Sequence, residues 1–224
     1  MVDILQPLMK VAIFDLEGTL VDSDNWLAQE LMTVMKNLGV PITEQEAKIE
    51  GKRDKYALAA QHGISEENLD EGYGSPQLNT WEYALSSGEV NLYPETLSTL
   101  NHLKDKGVIL GLLSRATRES DVALKVRHFG LEGFFGDRIV VVSDSVRKDE
   151  EALKLLGKLP AQIDTAYFIG DRAEDVTVAD YIKNKRGINS KGIYVNRIGY
   201  PNPELANYRQ ARSLIEIPEL VLEK

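Results

Sequence analysis

Three apolar runs of the chain end in a side chain that could do chemistry. These side chains are Asp15 after Val11–Phe14, Ser114 after Val108–Leu113 and Asp171 after Ala166–Ile169. In open sheets of parallel strands, ligands bind beyond the carboxyl ends of the strands. If the three runs are strands of one sheet, we expect their terminal side chains to converge at one edge.

Two carboxylates follow the first run, because Asp15 and Glu17 stand two residues apart. In extended backbone such residues point to the same side. One carboxylate could then serve as a nucleophile and the other as a proton donor. Gly18 permits the sharp turn that would follow. The alternative is a surface turn that is merely rich in acidic residues.

A second pair of carboxylates follows the run that ends at Ile169. Asp171 and Asp175 are four residues apart, so they share one face if a helix begins there. They could be acidic residues that the helix dipole favours at a helix start. Placed beside Asp15, however, they predict a site for a hard divalent cation with oxygen ligands, of the kind that suits Mg²⁺.

Two further side chains could bind an anion such as phosphate. The hydroxyl of Ser114 lies at a strand-to-helix turn, where nearby backbone N–H groups could also receive a phosphate oxygen. Ser114 could instead cap a helix. Lys148 lies at the start of the next helical pattern and could neutralise the acidic residues of such a site; alternatively, it is a solvated surface charge.

The elements that must position these residues alternate along the chain. Five short aliphatic runs read as strands buried on both faces of a sheet: Val11–Phe14, Val108–Leu113, Ile139–Val142, Ala166–Ile169 and Gly192–Val195. Helical patterns cover Pro94–Lys106, Asp121–Phe129, Glu150–Leu156 and Glu174–Ile182. This alternation predicts an α/β fold with a doubly wound parallel sheet. We expect Lys183–Lys191 to be a solvated loop.

Residues 21–93 interrupt the alternation of strands and helices, because they contain helical patterns and no convincing strand. An amphipathic stripe covers Trp26–Leu38, and Thr43 to Glu46 form a capping box that opens a second helix. Arg53–His62 and Ser75–Ser87 are further helix candidates. We therefore expect two domains: an α/β core of residues 1–20 and 94–224, and an inserted helical domain of residues 21–93.

Composition excludes several classes of function. The 224 residues carry a net charge of −9, and such an acidic surface argues against general nucleic-acid binding. The absence of cysteine removes disulfides, thiol nucleophiles and cysteine metal sites. The three histidines are far apart, which disfavours zinc hydrolysis. No targeting segment or membrane span is visible, so we expect a cytoplasmic protein without membrane contact.

Taken together, the motifs resemble those of the haloacid dehalogenase-like hydrolase superfamily, most of whose members are phosphatases. The matching residues, in chain order, are Asp15-Leu16-Glu17-Gly18-Thr19, Ser114, Lys148 and Gly170-Asp171 through Asp175. Their order and spacing agree over essentially the whole chain. The helical insertion resembles the cap of the phosphoglycolate-phosphatase-like branch. The resemblance therefore implies a Rossmann-like core domain with a helical cap domain.

The resemblance also implies a role for each motif residue. Asp15 would attack phosphorus and become an aspartyl-phosphate, while Glu17 would protonate the leaving oxygen and then activate water. Ser114 and Lys148 would hold the phosphoryl oxygens. The implied cofactor is Mg²⁺, bound by Asp15, the backbone carbonyl of Glu17 and Asp171, with Asp175 orienting or joining this ligand set.

Several positions depart from the usual pattern of the superfamily. Glu17 stands where most of its phosphatases have aspartate, so its carboxyl reaches further. Arg115 is a candidate for phosphate binding. Either Arg115 or Arg172 could donate paired hydrogen bonds from its guanidinium to the substrate, or could face solvent. Lys52 and Arg53 of the helical insertion could grip the distal end of the substrate, or could simply begin a solvated helix.

The expected function is therefore that of a magnesium-dependent phosphatase for a small phosphorylated metabolite. A sugar-phosphate mutase is an alternative on the same scaffold, since an aspartyl-phosphate can return its phosphoryl group. A second alternative is a non-catalytic member that binds a ligand or partner. We expect a monomer or a homodimer.

Overall fold

The computed structural model describes residues 9–74, 80–143, 146–159, 162–199 and 202–223. By its internal contacts the chain divides into two compact units. The first consists of Met1–Val21 with Leu92–Lys224, and the second of Asp22–Asn91.

The first unit is built on a six-stranded sheet. Its strands, in chain order, are β1 Met9–Phe14, β4 Ile109–Arg115, β5 Ile139–Val142, β6 Ile163–Gly170, β7 Ser190–Val195 and β8 Arg209–Ala211. They lie in the order β5-β4-β1-β6-β7-β8, and the neighbouring strands are parallel. The predicted α/β fold with a parallel sheet is thus confirmed, and all five predicted runs lie in strands except for Val108, which directly precedes β4.

The helices of the first unit lie between these strands, except for the last one, which follows β8. They are α6 Thr96–Asp105, α7 Glu119–His128, α8 Glu132–Phe135, α9 Lys148–Gly157, α10 Ala173–Arg186 and α11 Ile217–Leu222. Leu155 and Leu156 of α9 and Val178 of α10 pack in one buried cluster with Val11 and Phe168 of the sheet. This packing buries the aliphatic runs and so holds the carboxyl ends of β1, β4 and β6 side by side.

The expectation of a loop over Lys183–Lys191 is wrong for most of that segment. Helix α10 continues to Arg186 and ends at Gly187, which has a positive φ of 64°, while Lys191 belongs to β7. The basic residues Lys183, Lys185 and Arg186 occupy the last turn of the helix, where positive charge interacts favourably with the helix dipole.

The second unit is helical. Its helices are α1 Asp24–Asn37, α2 Glu44–Glu46, α3 Lys52–Gln61, α4 Glu66–Tyr73 and α5 Trp81–Ser87, with a π-helical turn over Ala47–Gly51. Leu31, Val34 and Met35 of the predicted stripe of α1 are buried in a cluster with Leu58 and Leu69. The predicted capping box is present, since Thr43 Oγ1 accepts from Glu46 N at 3.2 Å and Glu46 Oε2 accepts from Thr43 N at 2.7 Å.

Two features of this segment differ from the prediction. Helix α4 has a single buried residue, Leu69, so its hydrophobic pattern was too weak to be recognised. The ends of the segment also contain strands, because β2 Val21–Asp22 pairs with β3 Asn91–Leu92 in a two-stranded sheet. Residues 75–79 of the predicted Ser75–Ser87 helix lie outside the described residues.

Within the described ranges, no helix combines the length and the apolar character that crossing a bilayer requires.

Candidate active site

The carboxyl ends of three neighbouring strands place the predicted reactive residues together. Asp15 directly follows β1, Ser114 is the penultimate residue of β4, and Asp171 directly follows β6. Because β4, β1 and β6 are adjacent and parallel, these positions share one edge of the sheet. The convergence expected from the sequence is present.

Three carboxylates form a buried cluster at this edge. One oxygen each from Asp15, Asp171 and Asp175 lies within 4.8 Å of the others. Burial raises the pKa of the Asp15 carboxyl well above its usual range and raises that of Asp175, and neighbouring acids add to both effects, while Lys148 acts in the opposite direction. Such a set of buried oxygen donors fits a hard divalent cation such as Mg²⁺.

Lys148 supplies positive charge inside this cluster. It is the first residue of α9 and is buried, so the alternative of a solvated surface charge is wrong. Its Nζ donates to Asp15 Oδ1 at 2.7 Å and also to Asp175 Oδ1. Burial lowers the pKa of Lys148, but Asp15 and Asp175 more than offset this effect, so the pKa lies above its ordinary value and the ammonium stays charged.

Two glycines allow the acidic residues to approach closely. Gly18 has a φ of 72°, and a Cβ there would lie 2.3 Å from Asp171 Oδ2. A Cβ on Gly170 would lie 2.2 Å from the Cβ of Asp175. Asp171 is also held by Thr19, whose Oγ1 donates to Asp171 Oδ1 at 3.1 Å. Backbone shape, and not only residue type, therefore sets the positions of these carboxylates.

Asp175 combines the two roles that the sequence left open. Its Oδ2 accepts from the backbone N–H of Arg172 at 2.9 Å, which caps the start of α10, and its Oδ1 faces Lys148. It is therefore both a helix-start acid and a member of the carboxylate cluster. The side chain of Arg172 itself is exposed.

The carboxylate of Glu17 has different partners from those of Asp15. Its Oε1 forms an ion pair with Lys125 Nζ, and its Oε2 accepts from Ser114 Oγ at 3.4 Å. Ser114 is fully buried. The alternative that Ser114 caps a helix is wrong, because α7 begins at Glu119, beyond the reach of that hydroxyl. The backbone carbonyl of Glu17 as a metal ligand stays a prediction.

The guanidinium of Arg115 is engaged by protein groups. It forms a two-pronged contact with the carboxylate of Glu174, with distances of 2.9 Å from Nε and 2.8 Å from Nη2 to Oε2. Its Nη1 donates to the carbonyl oxygens of Ser143 at 2.8 Å and Val146 at 3.2 Å. Arg115 thus connects β4 with Ser143 and Val146, which precede Lys148, and with Glu174 of α10. Its binding of phosphate stays a prediction.

Lys52 and Arg53 belong to the second unit. Lys52 Nζ lies 2.5 Å from Asp24 Oδ2, and Arg53 is exposed. Asp54 then interrupts the helix and accepts from the backbone N–H groups of Tyr56 and Ala57 at 3.0 and 2.9 Å. A contact of Lys52 or Arg53 with substrate stays a prediction.

Sequence reasoning missed Lys125, and it placed Thr19 in the first motif without giving it a role. Lys125 had a signal, since it lies between Val122 and Val126 on the stripe of α7 that is otherwise apolar. A charged residue on such a stripe is rarely buried without a partner. The contact of Thr19 with Asp171 could not be predicted, because the two residues are far apart in the sequence.

Comparisons with known proteins agree with this geometry. A family model described as haloacid dehalogenase-like hydrolase matches residues 12–187. A glyceraldehyde 3-phosphate phosphatase from Methanothermobacter thermautotrophicus is 29% identical over 68% of this chain and 74% of its own length. A phosphoglycolate phosphatase from Agrobacterium fabrum is 27% identical over 78% and 77%. The crystal structure of a predicted phosphatase from Clostridium acetobutylicum superimposes with a TM-score of 0.71 at 25% identity, covering 97% of this chain and all of that one.

Proposed function

The chain belongs to the haloacid dehalogenase-like hydrolase family and is a phosphatase of that family, and we propose that it hydrolyses a small phosphorylated metabolite with Mg²⁺ and an aspartyl-phosphate intermediate. The observation that carries this proposal is the buried ammonium of Lys148 between the carboxylates of Asp15 and Asp175, with Asp171 beside them. A nucleophilic carboxylate must be ionised and fixed in place. Lys148 contributes to both, because it lowers the pKa of Asp15 against the effect of burial and donates to its Oδ1.

Asp15, Asp171 and Asp175 would hold the metal ion, together with the backbone carbonyl of Glu17. When bound, Mg²⁺ supplies positive charge that offsets the negative charge of the carboxylates and of the transferring phosphoryl group. The fit rests on the donor set, because the three carboxylates carry more negative charge than Lys148 alone can balance.

The first step transfers the phosphoryl group to the protein. An oxygen of Asp15 forms a bond to phosphorus, and the bond from phosphorus to the ester oxygen of the substrate breaks. Glu17 gives a proton to that oxygen, so the product leaves as an alcohol. Ser114 and Lys148 donate hydrogen bonds to the phosphoryl oxygens and stabilise their charge.

The second step regenerates the protein. Glu17, now ionised, takes a proton from a water molecule whose oxygen attacks phosphorus. The bond between phosphorus and Asp15 breaks, and inorganic phosphate leaves with Asp15 again a carboxylate. The helical unit Asp22–Asn91 is the proposed cap, and Lys52 and Arg53 are its candidate contacts for the distal end of the substrate.

The test is phosphate release from a panel that contains para-nitrophenyl phosphate, phosphoglycolate and glyceraldehyde 3-phosphate. The wild type should turn over at least one of them with Mg²⁺, and a chelator or the substitution Asp15→Asn should abolish turnover. Asp137→Asn is the matched control, because the Asp137 side chain is 96% exposed. It should leave turnover unchanged.

Two alternatives give different results in the same assay. A mutase would convert a sugar phosphate into its isomer and release little phosphate. A non-catalytic binding protein would show neither reaction, and Asp15 would not become phosphorylated by acetyl phosphate. Turnover that persists in Asp15→Asn would contradict the proposed intermediate.

A further inference from the structure

Lys125 occupies a position where a lysine is unexpected. It lies in the middle of α7 with only 1% of its surface exposed, between the buried side chains of Val122 and Val126. Burying an ammonium group costs free energy unless it is paired, and an apolar residue of similar length would fill the same space at no such cost. Its presence therefore needs an explanation other than packing.

Lys125 contacts the carboxylate of Glu17. Lys125 Nζ holds Oε1, while Ser114 Oγ donates to Oε2 at 3.4 Å. The carboxylate is thus held at both oxygens by donors from different elements, α7 and β4. The Lys125–Glu17 pair joins residues 108 positions apart, so it forms only when the first unit is folded.

Among the described residues, two buried lysines lie in the site, and they contact different carboxylates. Lys148 contacts the carboxylates of Asp15 and Asp175, whereas Lys125 contacts Glu17. The two carboxylates that the proposed reaction uses therefore contact different lysines: Asp15 contacts Lys148 and Glu17 contacts Lys125. Lys148 is part of the motif set that the family resemblance explains, and Lys125 is not.

We propose that Lys125 is a positioning residue that fixes the carboxylate of Glu17 for proton transfer, an inference that rests on the proposed function. Glutamate has one more rotatable bond than aspartate, so its carboxylate can adopt more positions. The ion pair with Lys125 limits that freedom, and it does not depend on Ser114, whose single hydroxyl proton can turn to a phosphoryl oxygen. Because a misplacement of about 1 Å can cost on the order of 100-fold in rate, such a hold affects turnover directly.

A double-mutant cycle tests whether Lys125 acts through Glu17. The variants are Lys125→Met, Glu17→Gln and the two together, and Arg127→Met serves as the control because Arg127 is exposed on the same helix. Steady-state kcat and KM are measured with Mg²⁺ on the best substrate of the panel. Arg127→Met should match the wild type.

We expect Lys125→Met to lower kcat by about 10- to 100-fold, with KM changed by less than about threefold. In the Glu17→Gln background the same substitution should change kcat by less than about threefold, because the group that Lys125 positions is already disabled. Glu17 activates water in the second step, so we expect both single variants to slow that step. Intact-mass spectrometry of the quenched reaction should then show phosphorylated protein accumulating in both.

Two results would overturn the proposal. One is a kcat of Lys125→Met within about threefold of the wild type, and the other is an equal fall in kcat with and without Glu17→Gln. Lys125→Met leaves Glu17 without its cation, so circular dichroism must first show that it folds. If it does not fold, the cycle is run with Lys125→Gln, which stays polar but is shorter and uncharged and so removes the ion pair with Glu17, and the same two comparisons decide.

Failure of the proposed function has a different signature. A wild type that releases no phosphate from any substrate in the panel, or an Asp15→Asn variant that stays active, overturns the reaction and the role of Lys125 together. If the wild type is active and depends on Asp15 and Mg²⁺, but Lys125→Met lowers kcat equally with and without Glu17→Gln, the role of Lys125 is overturned and the proposed function stands.

Discussion

The side chain of Asp175 occupies the space that a side chain at Gly170 would need. A Cβ on Gly170 would fall 2.2 Å from the Cβ and 2.4 Å from the Oδ2 of Asp175. Since Asp175 also binds Lys148 and the backbone N–H of Arg172, any displacement of this carboxylate disturbs the cluster around Asp15.

Gly170→Ala should therefore lower both stability and metal affinity. Overpacking of this kind costs about 1–3 kcal/mol in the free energy of unfolding, and the displaced Asp175 should weaken Mg²⁺ binding, as measured by calorimetry. Gly157→Ala is the matched control, because a Cβ at Gly157, the last residue of α9, meets nothing within 4 Å. Equal Mg²⁺ affinities of the two variants would show that metal binding does not depend on the close approach of Asp175 to Gly170.

Magnesium should raise the thermal stability of the wild type. A ligand that binds only the folded state at 100 times its Kd stabilises it by about 2.7 kcal/mol. Asp171→Asn removes one carboxylate of the cluster and should lose most of this increase in the unfolding midpoint, whereas the exposed control Asp137→Asn should keep it. Equal midpoints of the wild type with Mg²⁺ and with a chelator would contradict the metal site.

Arg197 should stabilise the segments that flank the active site. Its Nη1 lies 2.7 Å from Glu95 Oε1, its Nη2 donates to the carbonyl oxygen of Thr19 at 3.0 Å, and its guanidinium carbon lies 3.4 Å from the ring centroid of Tyr93. Removing one partner of a largely buried ion pair costs about 3–5 kcal/mol. We expect a loss near the lower end of that range for Arg197→Met in denaturant unfolding, because both side chains keep 13% exposure.

The effect of Arg197→Met should depend on pH through Glu95. Burial acts to raise the pKa of Glu95, but the hydrogen bond and the charge of Arg197, together with backbone N–H donors that include Leu214, more than offset it, so the pKa lies below its ordinary value of 4.5. The stabilisation by the ionised pair is thus complete above pH 4.5 and is lost as the pH falls through the lowered pKa. The difference between wild type and variant should shrink in acid.

The control for Arg197 is an exposed ion pair. Arg118 lies 3.2 Å from Asp121, but its side chain is 68% exposed, so Arg118→Met should cost less than about 1 kcal/mol. An equal cost for Arg118→Met and Arg197→Met at neutral pH would show that the buried contacts of Arg197 do not contribute.

Tyr208 should make stability sensitive to alkaline pH. Burial and the hydrogen bond to Asp180 raise the pKa of its hydroxyl from 10.0 to about 12. In the unfolded chain this group ionises near pH 10, so the stabilisation from the protonated hydroxyl is complete below pH 10 and is lost between pH 10 and about pH 12. The stability advantage of wild type over Tyr208→Phe should disappear across that window.

Denaturant unfolding at several alkaline pH values measures this effect for Tyr208. Tyr83→Phe is the control, because the Tyr83 side chain is 49% exposed. A constant difference between wild type and Tyr208→Phe from pH 9 to pH 12 would contradict the raised pKa.

Local sequence patterns determined the parts of the protein that depend on near neighbours. Short aliphatic runs such as Val11–Phe14 form strands because both of their faces are buried, and residues that directly follow parallel strands meet at one sheet edge whatever the order of the strands. The spacing of Asp15 from Glu17 and of Asp171 from Asp175 is likewise local. The fold class and the group of motif residues at the sheet edge were therefore predictable.

The contacts of the charged side chains were decided only by the tertiary structure. Lys125 meets Glu17 across 108 residues, Arg115 meets Glu174 across 59, and Arg197 meets Thr19 across 178. The basic residues of Lys183–Lys191 and the polar strand Arg209–Ala211 also lacked a hydrophobic pattern that predicts their structure. The physical reason is that hydrophobic periodicity is a property of one segment, whereas an ion pair depends on how far two distant segments are rotated and shifted against each other when the core packs.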